Sequence, residues 1–361
     1  MTELPPYRVA RSSRWHLIPL AIGIVILVVL ALQPTSFGAS YLSFGVVPHD
    51  LITFLTLLAL AQLWNLLGGF AGLISVGQQA YVGVGAYGLW LLGDVLHINP
   101  FVAVILAGFL AVIVAGPVAP LLFRLRGGYF AIGTWVVAEV MRLIVSNIQS
   151  TGGGSGKTVV SAAKVVMTHG FAGIYWLSLG VAVVTIVAVF FLLRSRLGLA
   201  LTSIRDNDIA AQSSGVNVFR AKMLVYIIAA FGSGVIGALV AFQLLRIQPA
   251  AAFSVVNWTA YPLVIVVIGG FGSIEGPIIG AVIYFVLLQT LSQYGSWYML
   301  LLGALAVLFA TVAPRGIWGW IDKRWHVHVF PVRRRLVVEA QPAEAEKKKA
   351  TAGAQPSTES L

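Results

Sequence analysis

The sequence predicts an all-α fold, a polytopic transmembrane bundle of about ten spans. Three observations carry this reading. Of 361 residues 59% are hydrophobic and only 10% charged, more apolar residue than a soluble core of this length can use. The apolar residues fall in runs near the length of about 20 that crosses a bilayer as a helix. Thirty-eight glycines and ten tryptophans fit the same class, since small residues let spanning helices approach closely and tryptophan anchors helix ends at the headgroups. With no cysteine in the chain, disulfides, thiolate catalysis and Cys-based metal sites are excluded.

Residues 1–16 form a polar tail with Arg8, Arg11 and Arg14. The apolar run from Leu17 to Leu32 resembles a secretory signal, but Phe37, Gly38, Ala39 and Ser40 offer only a poor cleavage site, so 17–33 is expected to be an uncleaved first span. Further spans are expected at 51–68, 73–93, 101–123, 128–148, 174–193, 223–245, 258–270, 277–292 and 297–313. The two starting at 258 and 277 are short enough to be tilted, broken or partly re-entrant. Residues 17–320 thus make one membrane domain, and 17–148 and 174–313 are readable as inverted five-helix repeats with broken helices. From 321 to 361 the chain turns basic and rich in Ala, Glu, Pro and Ser, the composition of a disordered tail. Its cations either rest on anionic membrane lipid or simply stay in water.

The net charge of +11 does not point to nucleic acid, because a basic DNA-binding domain would not carry so many apolar runs. Bilayer orientation explains it instead. All but four of the 23 Lys and Arg residues lie in the two ends, the Arg124–Arg126 turn and the polar segment 194–222. The exceptions are Arg142, within a span, and Lys157, Lys164 and Arg246. By the positive-inside rule both termini and 194–222 are expected to be cytoplasmic, and 149–173 external.

Two glycine-rich segments interrupt apolar runs, Gly68-Gly69-Phe70-Ala71-Gly72 and Gly269-Gly270-Phe271-Gly272-Ser273. Such breaks are tolerated at membrane depth where protein or a water-filled cavity satisfies the freed backbone groups, so they are either pathway elements or tight helix–helix turns. Around the first stand Asn65, Ser75, Gln78, Gln79 and Tyr81, and Glu275 sits in the second. Uncharged amides and hydroxyls can pass a polar solute without holding it, or merely bond neighbouring helices. Glu139 and Arg142 lie three apart on one face of the 128–148 span, where ionisable groups are costly; they line a polar path or neutralise each other.

Other motifs resolve blandly. Thr151-Gly152-Gly153-Gly154-Ser155-Gly156-Lys157-Thr158 resembles a phosphate loop but has Thr where the first Gly belongs and follows a membrane helix rather than a buried strand. Gly83, Gly85 and Gly88 match GxGxxG inside an apolar span, where close packing explains them. Asn257-Trp258-Thr259 is formally a glycosylation sequon but abuts a span. The histidines show no metal-ligand spacing. No clustered acid/base or metal constellation supports a membrane enzyme.

The segment from Arg194 to Lys222 is the only long polar stretch between two apolar halves. Leu199–Ile204 and Ile209–Ala211 can present one apolar face on short helices, with Arg205, Asp206, Asn207 and Asp208 between them and Gly215 as a stop, a pattern suited to docking another protein.

Taken in order, Asn65-Leu66-Leu67-Gly68-Gly69-Phe70-Ala71-Gly72, Gly83-Val84-Gly85-Ala86-Tyr87, Leu125-Arg126-Gly127-Gly128-Tyr129-Phe130, Glu139-Val140-Met141-Arg142, Ile204-Arg205-Asp206-Asn207-Asp208-Ile209-Ala210-Ala211, Gly215-Val216-Asn217 and Gly269-Gly270-Phe271-Gly272-Ser273 resemble the inner-membrane permeases of bacterial branched-chain amino acid ABC importers, the LivM type of the LivH/LivM family. The resemblance runs over most of residues 50–320. It implies a transport subunit without enzymatic activity or cofactor, paired with a second permease of the LivH type, two cytoplasmic ATPases and a periplasmic solute-binding protein. Ile209-Ala210-Ala211 and Gly215 are similar to the EAA-x-x-x-G signature of coupling helices, with Ile209 in the acidic slot and Asp208 one place early. On that resemblance Arg205, Asp206, Asp208, Ile209, Ala210, Ala211 and Gly215 couple to the ATPase. Related permeases carry urea or short amides, which stay open as alternative cargo, as does an ion-coupled secondary transporter with Glu139 as its coupling carboxylate.

Overall fold

The computed structural model describes residues 7–9, 48–313, 316–325, 330 and 336–338. Helices dominate: α1 (Pro48–Asn65), α2 (Gln78–Trp90), α3 (Pro100–Leu122), α4 (Gly128–Asn147), α5 (Val160–His169), α6 (Ala172–Arg194), α7 (Arg196–Asp206), α8 (Asp208–Ser213), α9 (Val218–Leu244), α10 (Pro249–Ala252), α11 (Tyr261–Gly269), α12 (Glu275–Leu291), α13 (Ser296–Val312) and α14 (Gly316–Trp325). Among the described residues four short strands, β1 (Tyr7–Val9), β2 (Lys157–Thr158), β3 (Arg246–Ile247) and β4 (Leu336–Val338), pair antiparallel as β1–β4 and β2–β3. The all-α polytopic bundle therefore stands.

Among the described residues the span count does not reach ten. Seven helical stretches among the described residues are long and apolar enough to cross a membrane: His49–Phe70, Pro100–Leu122, Gly128–Asn147, Ala172–Arg194, Val218–Leu244, Pro249–Gly269 and Glu275–Tyr294. An eighth results if Trp297–Val312 and Gly316–Arg324, bent by 42°, are taken as one. The expected span 17–33, and with it the inverted-repeat reading, lies outside the described residues. The expected span 73–93 is shortened because the chain stays irregular from Ala71 to Gly77 and turns helical only at Gln78. Helix α2 can carry Gln78, Gln79 and three glycines because neighbouring helices bury nearly all of it, so it needs no lipid-compatible surface.

Close approach holds the centre together. Helix α9 packs along both α2 and α3, α1 along α6, and the α11–α12 hairpin against α1. At the α2–α9 crossing a Cβ added to Gly85 would lie 1.9 Å from the Gly234 carbonyl oxygen, and one added to Gly237 would lie 1.9 Å from that of Val82. Lipid gives apolar helices no hydrophobic reason to associate, so this backbone-to-backbone packing supplies the attraction. The GxGxxG glycines all serve packing: Gly83 faces the Phe253 ring and Gly88 the Ala107 methyl.

The end of the bundle opposite α7 and α8 carries the 149–173 segment, which is less open than a loop. Asp94 caps α5 by accepting from the Val160 and Ser161 amides at 2.9 and 2.8 Å. Strand β2 pairs with β3, and the Lys157 ammonium sits 4.6 Å from the Trp90 ring centroid. Strands β1 and β4 pair with Tyr7 opposite Val338. Phe330 packs its ring on Phe190, one turn before Arg194. Residues 339–361 of the expected tail lie outside the described residues.

Candidate functional site at the paired helix breaks

The first break follows α1 through a wide turn, Leu66–Phe70, and an extended stretch that Gly72 enters at φ +70°. The second, between α11 and α12, needs Gly270 and Gly272 at φ +139° and +71°, conformations that L side chains rarely adopt. The two breaks lie against each other. Asn65 donates through Nδ2 to the Ser273 carbonyl at 2.7 Å and accepts through Oδ1 from the Gly272 amide at 2.9 Å. One turn earlier on α1, Gln62 donates to the Ile274 carbonyl at 2.7 Å. The Trp64 and Phe271 rings meet edge to face, 5.9 Å between centroids. A Cβ on Gly69 would come within 2.9 Å of the Gly272 nitrogen, so the contact requires glycine on both sides. Side chains at the end of α1 thus satisfy backbone groups that the second break has freed from helix, as burial demands.

The remaining polar residues distribute unevenly around this joint. Ser75 Oγ accepts from the Gly77 amide at 3.2 Å, and its carbonyl accepts from Trp64 Nε1 at 2.8 Å. Tyr81 donates its hydroxyl hydrogen to Tyr226 at 2.8 Å. Gln79 Oε1 accepts from the Thr259 hydroxyl. Gln79 Nε2 and both amide atoms of Gln78 are buried without a hydrogen-bond partner among the described residues. Glu275, at the start of α12 where the helix dipole favours a carboxylate, accepts from the Phe330 amide at 2.8 Å. Glu139 and Arg142 stand apart from all of these. They form a two-pronged ion pair on the open side of α4, with side chains 41% and 30% exposed.

The polar segment 194–222 folds into an ordered elbow under the joint. Ser195 caps α7 by accepting from the Leu197 amide at 3.1 Å, and Gly198 allows the turn because a Cβ there would lie 2.0 Å from the Leu193 carbonyl oxygen. Asn207 caps α8, accepting from the Ile209 and Ala210 amides at 2.9 and 3.1 Å. Gly215, at φ +84°, ends it, and Asn217 caps α9. Leu201, Ile204 and Ala211 face inward while Ile209 is 70% exposed. Lys222 pairs with Asp208, and Asp206 is mostly exposed. Arg205 points the other way: its Nη1 donates to the Gly69 carbonyl at 3.0 Å.

Sequence reasoning found both breaks and the elbow but missed Gln62, Thr259, Phe330 and the contact between the breaks. Gln62 had a signal, since it lies three residues before Asn65 on the same helical face. Thr259 and Phe330 had none, being brought in from distant segments.

A family model described as the permease component of branched-chain amino acid transport systems matches residues 50–310. The chain is similar to the high-affinity branched-chain amino acid transport system permease protein LivM of Escherichia coli, 28% identical over 279 residues, which cover 70% of this chain and 65% of that one. It is also similar to the probable branched-chain amino acid transport permease protein LivM of Methanocaldococcus jannaschii, 25% identical over 59% of this chain and 66% of the relative. A shorter likeness links it to the ribose import permease protein RbsC of Haemophilus influenzae, 31% identical over 37% of this chain and 42% of that one. The chain spans 65% of the length of the Escherichia coli relative. No solved structure matches. A multi-pass helical bundle with two apposed breaks, matched by that model over most of its length, belongs to the family of branched-chain amino acid transport system permease components.

Proposed function

We propose that this chain is the membrane-spanning subunit of an ATP-driven importer of amino acids, branched-chain ones first, working beside a second permease subunit, two ATPases and a solute-binding protein. The observation that carries this reading is the elbow. It is a capped, rigid unit that offers a nearly bare isoleucine outward while its inner face is locked into the bundle. An exposed Ile209 on an ordered surface is the kind of apolar knob a partner's groove covers. The positive-inside argument puts it on the cytoplasmic side, where ATP is. The names of the relatives support amino acid cargo.

The chain contains no cysteine, so an introduced one is a unique chemical handle. Ile209→Cys is expected to cross-link to a nucleotide-hydrolysing companion in the purified complex, and vesicles holding that complex are expected to take up leucine only with ATP on the elbow side. Cross-linking only to solute-binding protein, or uptake that follows a proton or sodium gradient and ignores ATP, refutes the proposal. The ion-coupled alternative needs a carboxylate free to load and unload, whereas Glu139 is held by Arg142 through both oxygens.

The opposite end of the bundle suits the solute-binding protein. Helix α9 starts at the elbow and ends at the β2–β3 ribbon, 27 residues later, a rise of about 40 Å. The ribbon holds Lys157 against Trp90 and leaves Arg246 exposed, a basic pair fit for an acidic docking surface. Reversing both charges is expected to raise the binding-protein concentration needed for half-maximal uptake about tenfold at low salt, with little effect once salt screens the interaction. An unchanged concentration dependence removes the ribbon from the docking surface.

A further inference from the structure

The guanidinium of Arg205 lies in a slot whose walls come from both helix breaks. Its Nη1 donates to the Gly69 carbonyl at 3.0 Å. A Cβ on Gly72 would lie 3.2 Å from Arg205 Cα, and a Cβ on Gly272 would lie 3.3 Å from Arg205 Nη1 and 3.2 Å from the Gly69 oxygen. Glycine at these two positions is therefore what leaves room for the side chain, in addition to permitting the positive φ. From the open side Asp206 Oδ1 accepts from Nε and Nη2, both at 3.2 Å, and holds the guanidinium plane in orientation. The side chain is 29% exposed, so the contact with Gly69 is largely shielded from water.

The same elbow carries Ile209 four residues further on, pointing out. One rigid unit thus has an outward knob and an inward pin, and the Asn207 cap between them fixes their relative direction. On its inner side the pin meets the Gly69 backbone carbonyl, which belongs to the joint where Asn65 already ties the first break to the second.

We propose that Arg205 is the positioning residue that transmits displacement of the elbow to the paired breaks, so that the segments 66–77 and 269–274 move with it as one body. The proposal rests on the importer reading above. Arg205 touches neither solute nor ATP in this scheme. Arginine is required because only its planar fork serves the Gly69 carbonyl and Asp206 at once; lysine supplies a single point of attachment.

The test compares Arg205→Ala and Arg205→Lys with the unmodified chain, each in the full complex in vesicles, with radiolabelled leucine and ATP as probes. Leucine uptake and ATP hydrolysis are measured on the same samples of chains that keep Ile209, and docking of the elbow is read on parallel samples in which each chain also carries Ile209→Cys. Arg205→Ala is expected to keep the Ile209 cross-link and most ATP hydrolysis while the number of ATP molecules consumed per leucine rises at least tenfold. Arg205→Lys is expected to fall between the two. An unchanged ratio of ATP to leucine in Arg205→Ala overturns the proposal, and so does loss of the cross-link in both variants, which reduces Arg205 to a brace of the elbow. If the unmodified complex shows no ATP-dependent uptake, it is the importer reading that falls, and the variants are not needed to see it.

Discussion

Replacing Asn65 by leucine, close in volume but without an amide, is expected to destabilise the protein by about 3 kcal/mol and to reduce uptake roughly tenfold or more. The substitution leaves the Gly272 amide and the Ser273 carbonyl without their partner, inside a joint that little water reaches. An unpaired buried backbone group costs about 1–3 kcal/mol, and two are orphaned here by one change. The apolar surface gained by leucine does not compensate, because the site is lined by backbone. Thermal unfolding in detergent and uptake in vesicles report the two effects separately. Wild-type behaviour in both would show that the breaks do not depend on each other.

Gly85→Ala is expected to be comparably severe, although it adds a single methyl. That methyl would sit 1.9 Å from the Gly234 carbonyl oxygen, which belongs to the backbone of α9 and cannot rotate away. The two helices must separate, which loosens the contacts that hold α2, α3 and α9 together. Overpacking of this kind costs about 1–3 kcal/mol and occasionally more. Gly180→Ala on α6 is the matched control, since nothing lies within 4 Å of its added carbon. It is expected to be neutral or to stabilise the helix by a few tenths of a kcal/mol up to about 1 kcal/mol. Equal melting temperatures for the two variants would remove close backbone approach as the force holding the bundle.

Much of this architecture was legible in the residues. Apolar runs located most helices, Gly-Gly pairs located both breaks, and i, i+3 spacing identified the Glu139–Arg142 pair. Short-range chemistry also marked the elbow, whose caps Ser195, Asn207 and Asn217 are the residue types that begin helices. What stayed hidden was long-range pairing. Nothing local to Asn65 reveals that its amide answers Gly272 and Ser273, more than 200 positions later. Arg205 was read with its neighbours as facing a partner, and only the fold shows it turned toward Gly69. Span counting erred at α2 for a related reason: hydropathy measures what lipid tolerates, and α2 is surrounded by protein.

The unbroken run of α9 from Val218 to Leu244 has a consequence of its own. If the importer reading proposed above holds, a stiff rod anchored at the elbow and at the basic ribbon reports in both directions. Thermodynamic reciprocity requires that, if nucleotide on one face alters how firmly a docked protein is held on the other, the docked protein alters nucleotide affinity by the same factor. Under that proposed reading an idle complex would have a built-in means of sensing from afar whether a loaded courier has arrived.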